Sequence, residues 1–200
     1  MKTVVFASRN RGKIREIRAL LEDLPIVLRS LDDFPDAPEV EEDGDTFLEN
    51  ALKKALAIAR YTGCAAMADD SGLTVDALGG APGVHSARYA GEGADDGRNI
   101  EKLLREMQDI PEKERGAAFR CVLVLCEPDG SCESFEGAWE GRIAEKPDGD
   151  GGFGYDPVFY LPGLGKTVAR LSLEEKNRLS HRARAMERLR EALEGRFQKP

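Results

Sequence analysis

The chain has 200 residues, 41% of them hydrophobic, and its 37 acidic against 29 basic side chains give a formal net charge of −8. That length allows a sizeable core in one large domain or two lobes, and the acidic balance disfavours a general binder of nucleic acid or membrane surfaces. The opening "MKTVVFASRNRGK" carries too short an apolar run for a signal peptide, and no later stretch approaches a membrane span, so the cytoplasm is the expected location.

In chain order, "KTVVFAS" (2 to 8) predicts a short strand. "RGKIREIRALLED" (11 to 23) predicts a helix, with Ile14, Ile17, Leu20 and Leu21 at helical spacing. "IVLRSL" (26 to 31) reads as a second strand, followed by the acidic, proline-bearing loop 32 to 45. "TFLENALKKALAIARYTG" (46 to 63) predicts a helix opened by a Thr46/Glu49 capping box and closed by Gly63. "AAMADD" reads as a strand, residues 72 to 94 as mostly irregular, and 95 to 110 as a helix ending at Pro111. A long irregular segment of that kind inside a compact protein is usually functional. Residues 117 to 144 predict two long strands around the turn "EPDG", then come a glycine-rich loop (147 to 156), a short strand, and a last helix from Ser180 to Phe197. The alternation predicts a mixed α/β protein, in which the 117 to 144 hairpin belongs to a smaller second lobe.

Two motifs mislead. "GDGGFG" (149 to 154) matches a dinucleotide fingerprint letter for letter, but Tyr155, Asp156 and Pro157 follow it where a helix should open. Gly12 and Lys13 imitate a Walker loop, yet the earlier glycine is missing and Ile14 stands in place of Ser/Thr. Cys64, Cys121, Cys126 and Cys132 form no C-x-x-C pair, so reduced thiols are expected rather than a zinc site.

More telling are polar groups at element ends. Ser8, Asn10 and Lys13 stand where a strand turns into a helix, whose unpaired N–H groups and dipole suit a phosphate; Ser and Asn also suit plain capping. Asp69 and Asp70 are adjacent on a strand, where side chains alternate faces, so only one should enter a given site. Beside Ser71 and Gly72 such a carboxylate could hold Mg²⁺ through hard oxygen ligands, or simply form a turn. Glu41 or Glu42 could supply a second oxygen, against a solvated acidic run as the ordinary role. Glu49 is assigned to capping and to an i+4 pair with Lys53, which leaves Lys54 to reach a site. Lys176, Ser180, His181 and Arg182 cluster at a further helix start, where lone basic residues usually stay in water.

Taken in order, "SRNRGK", "EEDGDTFLENALKKA", "ADDSGLTVDALGGAPGVHSARYAG", "GGFGYDPVF" and "EEKNRLSHRARA" resemble the successive motifs of the inosine/xanthosine triphosphate pyrophosphatases, which remove non-standard purine nucleotides. The resemblance spans nearly the whole chain. It implies one domain over residues 1 to 200: an elongated mixed β-sheet flanked by helices, with two lobes, a central active-site cleft and a homodimeric assembly. It also implies that Ser8, Arg9, Asn10, Arg11, Gly12 and Lys13 hold the triphosphate with help from Lys54. Asp70 is then the metal-binding catalytic carboxylate and proton acceptor, Glu42 assists with Mg²⁺, and Ser71 contacts substrate. Phe153, Gly154, Tyr155 and Asp156 form the base-binding loop, with Lys176, His181 and Arg182 as further nucleotide contacts.

The implied reaction is hydrolysis of ITP, dITP or XTP between the α and β phosphates, by in-line attack of water on the α phosphorus. A cationic donor such as Arg182 would favour the O6 acceptor of hypoxanthine and xanthine over the amino donor of adenine. Two other readings are weighed beside it. One is a related pyrophosphatase for modified pyrimidine or methylated nucleotides, and the other is a catalytically silent Mg-nucleotide sensor, against which Asp70, Lys13 and Lys54 argue.

Overall fold

The computed structural model describes residues 2–197, with side chains described through residue 192. Its strands are β1 (Lys2–Phe6), β2 (Ile26–Ser30), β3 (Ala65–Val75), β4 (Gly116–Cys126), β5 (Cys132–Ile143), β6 (Phe159–Leu161) and β7 (Lys166–Thr167). Helices α1 (Arg11–Leu20), α2 (Phe47–Thr62), α3 (Asp96–Glu106), α4 (Leu173–Leu179) and α5 (His181–Phe197) alternate with them. The strands form one mixed sheet in the order β2-β1-β3-β4-β5-β6-β7, with β1 parallel to both β2 and β3, and β6 antiparallel to β5 and β7. This is the α/β class expected from the sequence. No described helix is long and apolar enough to cross a membrane.

The chain folds as two compact units. The first comprises Met1–Asp70, Cys121–Gly137 and the segment from Arg182; the second comprises Ser71–Arg120 and Ala138–His181. In the first, β-strand alternation divides the core cleanly. Val4, Phe6, Ala65, Met67, Cys121 and Leu123 pack with Ile14 and Ile17 of α1 and Met186 of α5. Their neighbours Val5, Ala66, Ala68, Val122 and Val124 pack with Ala51, Ala55 and Ile58 of α2. Strands covered on both faces read as unbroken apolar runs, which is how residues 4 to 7 of the β1 segment and 65 to 68 of β3 appear in the sequence. In the second unit, Leu73, Val75, Phe119, Trp139 and Phe159 pack with Ile100 and Leu103 of α3 and with Met107, its C-cap.

Helix α2 opens and closes as its sequence predicts. Thr46 accepts from the Glu49 N–H, Glu49 reaches back to the N–H of Thr46, and Gly63 ends the helix with a φ of 65°. Lys53, however, pairs with Asp43 rather than with Glu49, because Glu49 is turned back toward the N–H groups of Asp45 and Thr46.

Several expectations need correction. Strand β3 runs to Val75 instead of stopping at Asp70, and the segment after it is folded into 3-10 turns at Asp76–Leu78 and Gly83–Arg88. Short polar side chains help to hold that segment, beside Leu78 and Tyr89, which pack against the second unit's core. Ser86 Oγ accepts from Leu73 N–H at 2.9 Å, and the Asn99 amide engages Ala90 N–H and Ala87 C=O. The last helix, expected from Ser180 to Phe197, is α5 (His181–Phe197), and a further short helix, α4, precedes it where none was expected. Ser172 and Glu175 cap α4, and Ser180, with extended backbone angles, separates it from α5. Cys126 and Cys132, expected as thiols, are disulfide-bonded across the mouth of the β4–β5 hairpin, where the turn brings their Cα atoms to 4.2 Å. Cys64 and Cys121 are free.

Candidate active site

In the first unit, alternation along β3 decides where the two aspartates point. Asp69 continues the Ala65/Met67 face toward α1 and α5; Asp70 continues the Ala66/Ala68 face toward α2. Both are buried. Asp69 faces Lys13 Nζ at 3.0 Å and accepts from Arg182 Nη2 at 3.0 Å, while Arg182 Nη1 is bonded to Glu16. Burial alone would push the Asp69 carboxyl up, but Lys13 and Arg182 hold it far below the usual carboxylate range. Burial likewise works against the charge of Arg182, and Asp69 with Glu16 keeps it firmly protonated.

Asp70 stands in a different environment. Its Oδ2 accepts from Asn50 Nδ2 at 3.2 Å, and its Oδ1 lies 3.7 Å from Lys54 Nζ. Lys54 also meets Glu42 Oε2 at 3.2 Å and donates to the backbone carbonyl of Asp69 at 2.8 Å. Burial raises the Asp70 carboxyl to about 6, with Lys54 and Lys13 opposing and Glu42 adding to the rise. A carboxyl poised near neutrality is suited to exchanging a proton with water.

At the start of α1, Asn10 is the N-cap, accepting from the Lys13 N–H at 3.1 Å, and Ser8 Oγ accepts from the Asn10 N–H at 3.2 Å. Arg9 donates to the Leu31 carbonyl, and Arg11 is exposed. The helix dipole and the side chain of Lys13 thus lie on an element whose N-terminus suits an anion. This unit brings together Lys13, Lys54, Glu42, Asp69 and Asp70, and it distinguishes Glu42, which pairs with Lys54, from exposed Glu41.

In the second unit, Asp156 Oδ2 accepts from the Phe153 N–H at 2.9 Å and from Lys176 Nζ at 2.6 Å. Lys176 Nζ also lies 4.3 Å from the centre of the Phe153 ring. Gly154 N–H donates to Asp96, and the Tyr155 hydroxyl donates to the Ser86 carbonyl at 2.8 Å, so these two residues anchor the loop. Gly152, with φ of 76°, passes so close to the Asp156 carboxylate that a Cβ there would overlap it. His181 stacks on Phe119 at 5.0 Å, and Ser71 follows Asp70 on β3.

Arg182, which the sequence reading offered to the O6 of a base, is 1% exposed, and its guanidinium is engaged by Asp69 and Glu16. Sequence reasoning passed over Glu16 and Asn50. Each is a buried polar residue on an otherwise apolar helix face, a signal readable beside Ile17 and Ala51.

Two carboxylates on hard oxygens, meeting at Lys54 without a nitrogen or sulfur ligand, fit Mg²⁺, which is commonly held by one or two carboxylates plus water and phosphate oxygens. Among the described residues no group of three or more His, Cys, Asp or Glu side chains is arranged to hold a metal.

The fold and these groups together define an α/β protein with a lysine-lined carboxylate pair beside a helix N-terminus. The chain belongs to the Ham1 family, whose model matches residues 4–192. It is 56% identical to a dITP/XTP pyrophosphatase of Geobacter sulfurreducens over 96% of this chain and 97% of that protein. It is 55% identical to a dITP/XTP pyrophosphatase of Geobacillus kaustophilus over 97% of this chain and 95% of that one. A solved HAM1 protein from Coxiella burnetii superposes with a TM-score of 0.89 at 45% identity, covering 98% of this chain and 100% of the other.

Proposed function

We propose that this chain is a nucleoside triphosphate pyrophosphatase that hydrolyses dITP, ITP and XTP to the monophosphate and pyrophosphate with Mg²⁺. The single observation that carries the reading is the meeting of Asp70 and Glu42 at Lys54, with Lys13 held nearby through Asp69. Relatives bearing the name dITP/XTP pyrophosphatase at more than half identity support the substrate class.

The chemistry follows from the side chains. Ser8 through Lys13, at the α1 N-terminus, bind phosphate oxygens, and Lys13 and Lys54 offset the charge that builds on them during in-line displacement. Asp70 orients the attacking water and takes its proton at Oδ1, since Asn50 occupies Oδ2. Asp70 and Glu42 would hold Mg²⁺, which would supply further charge compensation and make bound water more acidic.

Base recognition is assigned to the loop from Phe153 to Asp156. Lys176, His181 and Arg182 are assigned as further nucleotide contacts, and a cationic donor toward O6 favours the 6-oxo purines over adenine, whose amino group at that position cannot accept. Cytoplasmic action on the nucleotide pool and a homodimeric state belong to the same reading, and sedimentation of the intact chain tests the latter.

The deciding experiment measures pyrophosphate release from dITP, XTP, dGTP and dATP, with and without Mg²⁺, in the parent and in Asp70→Asn. We expect Mg²⁺-dependent turnover of dITP and XTP well above that of dATP and dGTP, reduced by ~10²-fold or more in the variant. Equal rates on all four nucleotides would remove the base preference, an inactive parent would favour a nucleotide sensor, and full activity in the variant would remove Asp70 from its role.

A further inference from the structure

Asn50 is the fourth residue of α2 and is 1% exposed, on the face that otherwise presents Ala51, Ala55 and Ile58 to the core. A buried amide needs partners, and this one has them on two separate segments. Its Oδ1 accepts from the Gly44 N–H at 2.8 Å, and its Nδ2 donates to Asp70 Oδ2 at 3.2 Å and to the Gly44 carbonyl at 3.4 Å. The orientation of the amide is fixed by these neighbours, because the Gly44 N–H requires an acceptor and the Asp70 carboxylate a donor.

Gly44 is a glycine because of this approach. A Cβ at that position would lie 2.7 Å from Asn50 Oδ1 and 2.8 Å from Glu49 Cβ. Two residues earlier the same loop carries Glu42, whose carboxylate meets Lys54 beside Asp70. One side chain therefore clasps the backbone of the Glu42 loop and the carboxylate of β3. By taking Oδ2, it leaves Oδ1 as the Asp70 oxygen closer to Lys54.

We propose that Asn50, with Gly44, is a positioning residue that sets the separation of Glu42 and Asp70 and so the divalent-cation affinity of that pair. The inference rests on the reading that these two carboxylates hold the metal. Hydrogen-bond partners behind metal ligands typically govern affinity by 10- to 100-fold.

The test uses Mn²⁺ binding to the intact chain without nucleotide, followed by electron paramagnetic resonance and competed with Mg²⁺, in the parent, Asn50→Ala, Gly44→Ala and Asp70→Asn. Asp70→Asn should abolish binding. Asn50→Ala and Gly44→Ala should each weaken it by about tenfold or more, while dITP turnover returns toward the parent rate at saturating Mg²⁺ because both carboxylates remain. Gly44→Ala keeps every polar group, so it stands as the second variant should Asn50→Ala fail to fold. A parent that binds with Asn50→Ala or Gly44→Ala folded and within twofold of it would overturn the clasp. A parent that does not bind would overturn the metal reading and the clasp with it.

Discussion

Asp69 and Asp70 are adjacent and both buried, and burial pushes both carboxyls up, but their neighbours differ enough to send their protonation in opposite directions. Asp69 meets Lys13 and Arg182 and is held ionised far below its ordinary pKa, so its contribution to stability is present above about pH 4 and fades as pH falls further. Asp70 is raised from 3.8 to about 6. Its buried carboxyl is best accommodated in the protonated form, so the stability linked to it is full below about pH 4 and lost as pH rises through about 6. Metal-free protein at pH 7.5 should therefore gain on the order of 1–3 kcal/mol from Asp70→Asn. It should lose about 3–5 kcal/mol from Asp69→Asn, which takes from buried Arg182 one of its two counter-charges and from Lys13 the carboxylate it faces. Urea unfolding in the presence of a chelator checks both, and two changes of the same sign would contradict the assignment. That the two carboxylates part company was legible from strand alternation alone. The partners were less so, since Arg182 and Glu16 lie 166 positions apart and no local pattern links them.

At the scale of elements, legibility followed the local signals. Helix α2 could be read because a capping box, an apolar stripe and a terminal glycine all agree, and consistency of that kind marks a well-specified segment. The far end of β3 could not, because Gly72 and Thr74 look like loop residues and are held as strand by packing of Leu73 and Val75 in the second unit's core. The start of the last helix beside Ser180 was legible, whereas α4 was not, because its seven residues are too few to show a helical apolar period. The β4–β5 hairpin was visible as two strands and a turn, yet its disulfide was not, since a separation of six residues resembles no common cysteine motif. The bridge closes a short loop and adds roughly 2 kcal/mol by the chain-entropy relation. Protein purified without reductant should show one readily alkylated thiol, Cys64. Cys121 is buried, with its thiol pushed up to about 12 by burial and by Asp69, and should react slowly. Cys126 and Cys132 should label only after reduction. Mass spectrometry of the alkylated peptides decides it, and rapid labelling of Cys132 without reductant would mean that the bridge is not formed in solution.

For the whole molecule, the question is whether two units with separate cores melt separately. The chain passes between them after Asp70, Arg120, Gly137 and His181, and the first three of these crossings fall inside β3, β4 and β5. A strand cannot lose its ladder in one half without releasing the ends that the other half depends on, so the covalent layout favours one cooperative transition. The protein carries its own reporter, because its single tryptophan, Trp139, is buried in the second unit's core. Ile17, fully buried against β1 and β3 in the first unit, is the matching site for a perturbation. Ile17→Ala removes methyl groups from a packed core and should cost about 2–5 kcal/mol. If unfolding is cooperative, the denaturant midpoint read from Trp139 fluorescence falls by that full amount and coincides with the midpoint from far-ultraviolet circular dichroism. If the units unfold independently, Trp139 keeps the parent midpoint while circular dichroism resolves an earlier transition, and the strands that cross between the cores do not couple them.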